Sequence, residues 1–215
     1  MSRKIAAAAI AAVVGLAVGV GLGALLFSSS STTSTTTTTV DPKPVSLPAS
    51  LAGFRDITDV IAARSPQSAA VQRQLAHQAA VSAATDAAYR KAFGGAGVAY
   101  RQYSDSRLEK LPYVIAVRAP TPALTLGPVI SASYLGLATP EREVRTVGAV
   151  SCQILWSPPT VAGHTPPSSS EHIVGCQRST GGLTVFTGGG SFAGPADLQE
   201  IVDLTNAAWS AASSS

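Results

Sequence analysis

The stretch from Val144 to Trp156 reads VRTVGAVSCQILW, and it decides the fold class of this chain. From Val150 onward, an apolar or sulfur-bearing side chain falls at every second position, the period of a β-strand with one buried face. Val174 and Cys176 repeat that spacing after a Pro- and Ser-rich loop. The pattern therefore predicts one strand over 144–156 and a neighbouring strand that carries Val174 and Cys176, with the two cysteines on one face.

Further strand-like segments surround this pair. Tyr113 to Arg118 alternates in the same way, and Leu183 to Thr187 follows the turn residues Gly181-Gly182. Val98 to Tyr103 and Val129 to Leu137 are weaker candidates. Together these segments predict an antiparallel sheet of about five to six strands.

Helical patterns occur on both sides of the strands. The first covers 51–64 with Ser50 as its cap, and the second opens at Ser65-Pro66 and ends at Phe93 before two glycines. Pro195 opens the last helix, in which Leu198, Ile201, Val202, Thr205 and Trp209 form one stripe. We therefore expect an α+β domain over 48–215, with N- and C-terminal helices packed on one face of the sheet.

The N-terminus has the composition of a membrane anchor. Arg3 and Lys4 precede 23 residues, Ile5 to Phe27, without a charged or hydrogen-bonding side chain. As a helix this segment measures roughly 34 Å, enough to span a bilayer. The sequence predicts a single-pass transmembrane helix over 5–27, a cytoplasmic N-terminus over 1–4 and an extracytoplasmic remainder. A cleaved signal peptide is the alternative, with Ser28 and Ser30 at a poor cleavage site.

Two features of the anchor region concern its contacts. Gly15, Gly19 and Gly23 recur at every fourth position, a spacing that lets two transmembrane helices approach closely. This small-residue face predicts a homodimer or a partner's transmembrane helix, although glycine is also simply common in this segment. Residues 28–47, which begin with twelve consecutive Ser and Thr, predict a disordered linker, either O-glycosylated or unmodified.

The charge balance gives no indication of nucleic-acid binding. Apart from Arg3 and Lys4, the chain has 13 basic residues against 12 acidic ones, and the basic residues do not cluster. A nucleic-acid-binding surface needs a basic patch.

Cys152 and Cys176 both lie in the part expected outside the cytoplasm. An oxidising compartment favours a disulfide between them. A zinc site or a reactive thiol is the rival interpretation, but the spacing contains no Cys-x-x-Cys pair.

Four short motifs carry a resemblance over 87–209. They are Val98-Ala99-Tyr100, Ala116-Val117-Arg118-Ala119, Val150-Ser151-Cys152 and Cys176-Gln177-Arg178. In these the chain resembles a group of uncharacterised exported proteins of actinobacteria. The resemblance implies an anchored extracytoplasmic domain and brings no known activity.

Candidate catalytic groups are few. Ser191 lies between a predicted strand and the last helix, but Ala193 replaces the second glycine of a nucleophile elbow and no histidine follows it. His164 and His172 flank the Pro- and Ser-rich loop at a spacing that matches no metal motif, and His77 lies on a predicted helix. Asp197 and Glu200 suit the start of a helix without a catalytic role.

The sequence thus predicts no catalytic, cofactor-binding or metal-binding residues. We expect a membrane-tethered extracytoplasmic module that binds a protein or an envelope component. The alternatives are a small hydrolase using Ser191 or the His164–His172 loop, and a structural subunit of an envelope complex.

Overall fold

The computed structural model describes residues 40–64, 68–124 and 130–215. The predicted transmembrane helix, its small-residue face and the Ser/Thr tract lie outside these residues. Within them, no helix combines the length and the apolar character needed to cross a membrane.

The described residues form one eight-stranded sheet and three α-helices. The strands are β1 (Ser50–Leu51), β2 (Phe54–Asp56), β3 (Val98–Ser104), β4 (Tyr113–Val117), β5 (Arg142–Val147), β6 (Val150–Trp156), β7 (Glu171–Thr180) and β8 (Leu183–Gly188). The helices are α1 (Ile57–Arg64), α2 (Ala69–Ala92) and α3 (Gly194–Ser213). The strand order is β1-β2-β3-β4-β8-β7-β6-β5, and each neighbouring pair is antiparallel.

The prediction of five to six strands was wrong, partly because the stretch 144–156 is a hairpin and not one strand. Val147 pairs with Val150, so the chain reverses at Gly148-Ala149, where Gly148 has a φ of 59°. Positive φ costs glycine nothing, and two-residue hairpin loops require it. The more buried positions are odd-numbered in β5 and even-numbered in β6, but β5 is too polar for its own pattern to show this change in the sequence.

The segment 51–64 also differs from its prediction as one helix. Leu51 pairs with Phe54 in a tight hairpin, and only Ile57–Arg64 is helical. In the described part of 129–137, turns replace the expected strand, and only Leu137 forms an isolated bridge, to Val161.

The helices lie on opposite faces of the sheet, which overturns the prediction that they share one face. β4 shows this most clearly. Val114 and Ala116 belong to the main core with α3. Ile115 and Val117 belong to a second cluster with Tyr89 of α2 and with Phe93, which directly follows α2. β4 is therefore a central strand that is buried on both faces.

Residues 40–47 pack against the domain, although the sequence assigned them to the linker. Val45 and Leu47 are buried in the main core. The Gly97 N–H donates to the backbone oxygen of Asp41 at 2.9 Å, and a side chain at Gly97 would overlap the backbone of Lys43. The folded part therefore begins before Pro48.

The predicted disulfide is confirmed. Cys152 and Cys176 are directly opposite each other on β6 and β7, with Cα atoms 4.0 Å apart, and both are completely buried.

Candidate functional site

The sheet face opposite α3 carries a continuous row of side chains from β3 to β5. Strand register aligns six residues across the six strands, and alternation places all of them on this face. In spatial order they are Tyr100, Ile115, Phe186, Gln177, Ser151 and Thr146. The row is apolar and aromatic on β3, β4 and β8, and polar but uncharged on β7, β6 and β5.

A groove opens where the C-terminal end of α2 crosses this face. Tyr89 and Phe93 form one wall, with their rings stacked at 6.4 Å and inclined by only 10°. Ile115, Val117 and Phe186 form the floor, and polar side chains from Thr121, Gln177 and Thr184 close the far side. The cavity measures about 240 Å³. It therefore combines aromatic surface with hydrogen-bonding groups at one end.

Aromatic rings continue across the sheet beside the groove. Tyr100 and Tyr113 are 6.1 Å apart between centroids, and Tyr113 and Phe186 are 6.0 Å apart. These three rings, like Tyr89 and Phe93, are only partly buried. Half-buried aromatic rings retain apolar surface that a ligand can cover.

Two glycines allow the Phe186 ring to lie flat on the sheet. A Cβ at Gly175 would lie 2.8 Å from Phe186 Cζ, and one at Gly188 would lie 2.9 Å from Phe186 Cε1. The same Cβ at Gly188 would come within 2.7 Å of the Tyr113 hydroxyl oxygen. Only glycine leaves room for both rings against the strand backbone.

The tyrosines of this face are neutral at physiological pH. Burial raises the pKa of Tyr113 to about 12, with smaller effects from Tyr89 and Tyr100. Burial also raises the pKa of Tyr100 and of Tyr89. The phenols therefore offer neutral hydroxyl groups, which can both donate and accept hydrogen bonds.

At the polar end, Gln177 is held in a fixed position. Its amide Nε2 donates to Thr121 Oγ1 and to the backbone oxygen of Pro122, both at 2.9 Å. Among the described residues its Oε1 has no partner, so it remains an acceptor.

Ionisable strand side chains are scarce on this face. Along β3 to β8, all of which are described, the face carries Arg142 and His172 besides its tyrosines, both at the β5–β6 end. The strand contribution to this surface is therefore almost uncharged.

A larger cavity of about 650 Å³ lies at the edge of β3, between 42–47 and α2. There β2 pairs only with Tyr103 and Ser104, so Val98 to Gln102 have no strand on that side. The Asp86 carboxylate accepts the Tyr100 N–H at 2.7 Å. This bond occupies the middle of the free edge, so the cavity is poorly suited to strand addition by a peptide.

The structure does not bring Ser191 and His172 into contact. The His172 Nε2 is bonded to the backbone oxygen of Ser157 at 2.9 Å, while its backbone bridges Ala193. Ser191 is exposed, and neither residue lines either cavity described above. The predicted nucleophile and the nearest imidazole therefore do not form a dyad.

The remaining histidines do not assemble a metal site with acidic residues. His164 lies in the loop before β7, and His77 is exposed on α2. Among the described residues, no group of three or more His, Cys, Asp or Glu side chains is placed to hold a metal ion.

The acidic residues of α3 have structural partners. Lys110 forms ion pairs with Asp197, at 2.8 Å, and with Glu200. Asp197 also accepts the Ala193 N–H at 2.8 Å, which caps the start of the helix. Burial opposes the charged ammonium, but hydrogen bonds to Asp197 and Glu200 outweigh it and raise the pKa of Lys110. Lys110 therefore stays protonated and does not act as a base for Ser191.

Sequence reasoning missed the aromatic face altogether. Its five rings come from α2, β3, β4 and β8, over nearly 100 residues of chain, and none belongs to a recognisable motif. A usable signal was present in Gly175, inside the neighbouring strand β7, and in Gly188, at the end of Phe186's own strand β8. Glycine inside a strand indicates close approach of another group.

Comparisons with known proteins do not suggest a function, so the proposal below rests on the geometry of the aromatic face. The chain matches no protein-family model, no curated protein and no solved structure.

Proposed function

We propose that this chain is a membrane-tethered extracytoplasmic binding module, and that its ligand surface is the aromatic face between α2 and β5. The observation that carries the proposal is the cluster of five half-buried rings beside a fixed amide, on a face whose strands carry scarcely any charge. The disulfide suits an oxidising compartment outside the cytoplasm. The tether itself rests on the sequence of residues 5–27.

The site chemistry favours binding over hydrolysis. A serine hydrolase needs a base within hydrogen-bonding reach of its nucleophile. Here His172 is bonded to Ser157, and Lys110 is held by two carboxylates. The aromatic groove instead has the composition of a recognition site, with apolar walls and a few oriented polar groups.

A structural role in a larger complex is the second candidate, and one observation favours it. Ile130, Tyr134 and Val161 are 55%, 84% and 63% exposed. Their loops are joined by the Leu137–Val161 bridge and by the Ala162 N–H, which donates to Gly136 O at 2.9 Å. Exposed apolar side chains on adjoining loops are typical of a protein contact.

One pair of variants separates the two surfaces. The full chain in detergent is immobilised, and separated polysaccharide, lipid and protein fractions of the cell envelope are passed over it. We expect one fraction to bind, with Phe93→Ala weakening the interaction at least tenfold and Tyr134→Ala leaving it unchanged. If binding is lost in Tyr134→Ala and retained in Phe93→Ala, the ligand surface is formed by the loops that carry Tyr134 and Val161 and not by the aromatic face. No binding from any fraction would contradict the proposal.

A further inference from the structure

We propose that the ligand of the aromatic face is an uncharged polysaccharide chain lying across the strands from Tyr100 towards Thr146. This inference rests on the proposed function and narrows it to one class of envelope component. Three properties of the face support it: its flat rings, its neutral polar row and its position on a sheet face instead of an edge.

The rings offer a stacking platform. Phe186 lies against Gly175 and Gly188, and the Tyr113 ring adjoins it at 6.0 Å between centroids with the two planes inclined by 37°. The face of an aromatic ring carries partial negative charge, so it attracts the weakly positive C–H groups on the apolar side of a sugar ring. Because stacking needs a flat partner, the two glycines are as necessary to this surface as the rings.

The polar part of the row supplies hydrogen bonds to hydroxyl groups. Gln177, Ser151 and Thr146 follow Phe186 in register on β7, β6 and β5. Gln177 offers its Oε1 as an acceptor, because its Nε2 already donates to Thr121 and Pro122. The Ser151 and Thr146 hydroxyls are 3.3 Å apart, and as a pair they can both donate to and accept from the rim of a sugar ring. Neighbouring strands are about 4.8 Å apart, so the row from Tyr100 to Thr146 spans roughly 24 Å. That length accommodates several sugar residues of one chain.

The charge of the face decides against anionic ligands. Arg142 and His172 lie at the outer end of the row, and Asp86 and Arg90 of α2 line the other cavity beside Tyr100. A polyanion would lose hydration over the rest of the row without gaining a countercharge. The lining therefore suits a neutral polymer.

The position of the row decides against an extended peptide or an acyl chain. A peptide that adds a strand needs unpaired backbone groups, and the central strands have these groups bonded to each other within the sheet. An acyl chain needs continuous apolar surface, whereas half of this row is Gln, Ser and Thr.

The test uses the full-length protein and the organism's own envelope polysaccharide, freed of protein and lipid and divided by ion exchange into neutral and anionic fractions. Titration calorimetry measures binding of each fraction to the wild type, Phe186→Leu, Ser151→Glu and Tyr134→Ala. Phe186→Leu keeps an apolar side chain but removes the ring, and Tyr134→Ala removes an exposed ring that belongs to a turn and not to the row. Thermal melts confirm that each variant is folded.

We expect the neutral fraction to bind, with at least a tenfold loss in Phe186→Leu, a comparable loss in Ser151→Glu and no change in Tyr134→Ala. Binding of the anionic fraction as tight as that of the neutral one would overturn the inference, as would full retention by Phe186→Leu. If neither polysaccharide fraction binds while a protein or lipid fraction does so in a Phe93-dependent manner, the inference fails and the proposed function stands.

Discussion

Asp86 of α2 accepts the backbone N–H of Tyr100 in β3 at 2.7 Å, and this bond protects a stretch of β3 that no strand pairs. Unpaired edge groups are a template for aggregation, and a side chain that occupies one of them removes the template. The bond places a carboxylate in a half-buried position. Burial raises the pKa of Asp86, although the Tyr100 N–H and the charge of Arg90 oppose the rise.

Asp86→Asn should be more stable than the wild type at neutral pH. The amide oxygen still accepts the Tyr100 N–H, and the cost of burying a charge is removed. The pKa of Asp86 is higher in the folded state than in the unfolded state, where it is near 3.9. The protonated Asp86 side chain therefore makes its full contribution to stability below pH 3.9, and this contribution is lost as the pH rises through the pKa of the folded state. Urea unfolding at pH 3 and pH 7 should therefore show the advantage of Asp86→Asn only at pH 7.

Asp86→Ala is the matched control, since it leaves the Tyr100 N–H without an acceptor. An unsatisfied backbone group costs about 1–3 kcal/mol, so this variant should be less stable than Asp86→Asn at both pH values. If Asp86→Asn were less stable than the wild type at pH 7, the carboxylate charge would be stabilising and our explanation would be wrong.

Loss of the Cys152–Cys176 bond should destabilise the domain markedly. The two residues are 24 apart in sequence. For a loop of that size the chain-entropy model gives about 3.5 kcal/mol. Thermal unfolding with and without reductant, and of the double variant Cys152→Ala/Cys176→Ala, should show a fall of several degrees. An unchanged midpoint in both experiments would mean that the bond adds nothing to stability.

Leu204→Ala should cost more than Trp209→Ala, although the sequence placed Trp209 in the buried stripe of α3. Leu204 is completely buried in the main core, so its truncation should cost about 2–5 kcal/mol. Trp209 lies at the core margin, where the Arg178 guanidinium stacks 4.8 Å from its ring. Its truncation to Ala should therefore lower the unfolding free energy by less than that of Leu204. Asp203→Ala, on the exposed side of the helix, should change the unfolding free energy by less than about 0.5 kcal/mol. Equilibrium urea unfolding of the three variants ranks them directly.

Local signals in the sequence were sufficient for several elements. The last helix begins within one residue of Pro195, and four of its five predicted stripe residues are buried. Gly181-Gly182 does form the turn between β7 and β8. The disulfide followed from the expected compartment and from the alternation around each cysteine. For the helix start and the turn, the deciding residues are close together in the chain; for the disulfide, the alternation around each cysteine is the local signal.

The number of strands, the faces occupied by the helices and the candidate site were decided by tertiary structure alone. Before Gly148-Ala149, β5 is mostly polar and shows no clear apolar alternation of its own, so the hairpin there is defined by pairing between β5 and β6. Phe186 adjoins Tyr113 only because β8 returns to pair with β4, which brings together residues more than 70 positions apart. A sequence period determines which residues share a face of one strand, but strand pairing determines which faces adjoin, and that depends on long-range contacts.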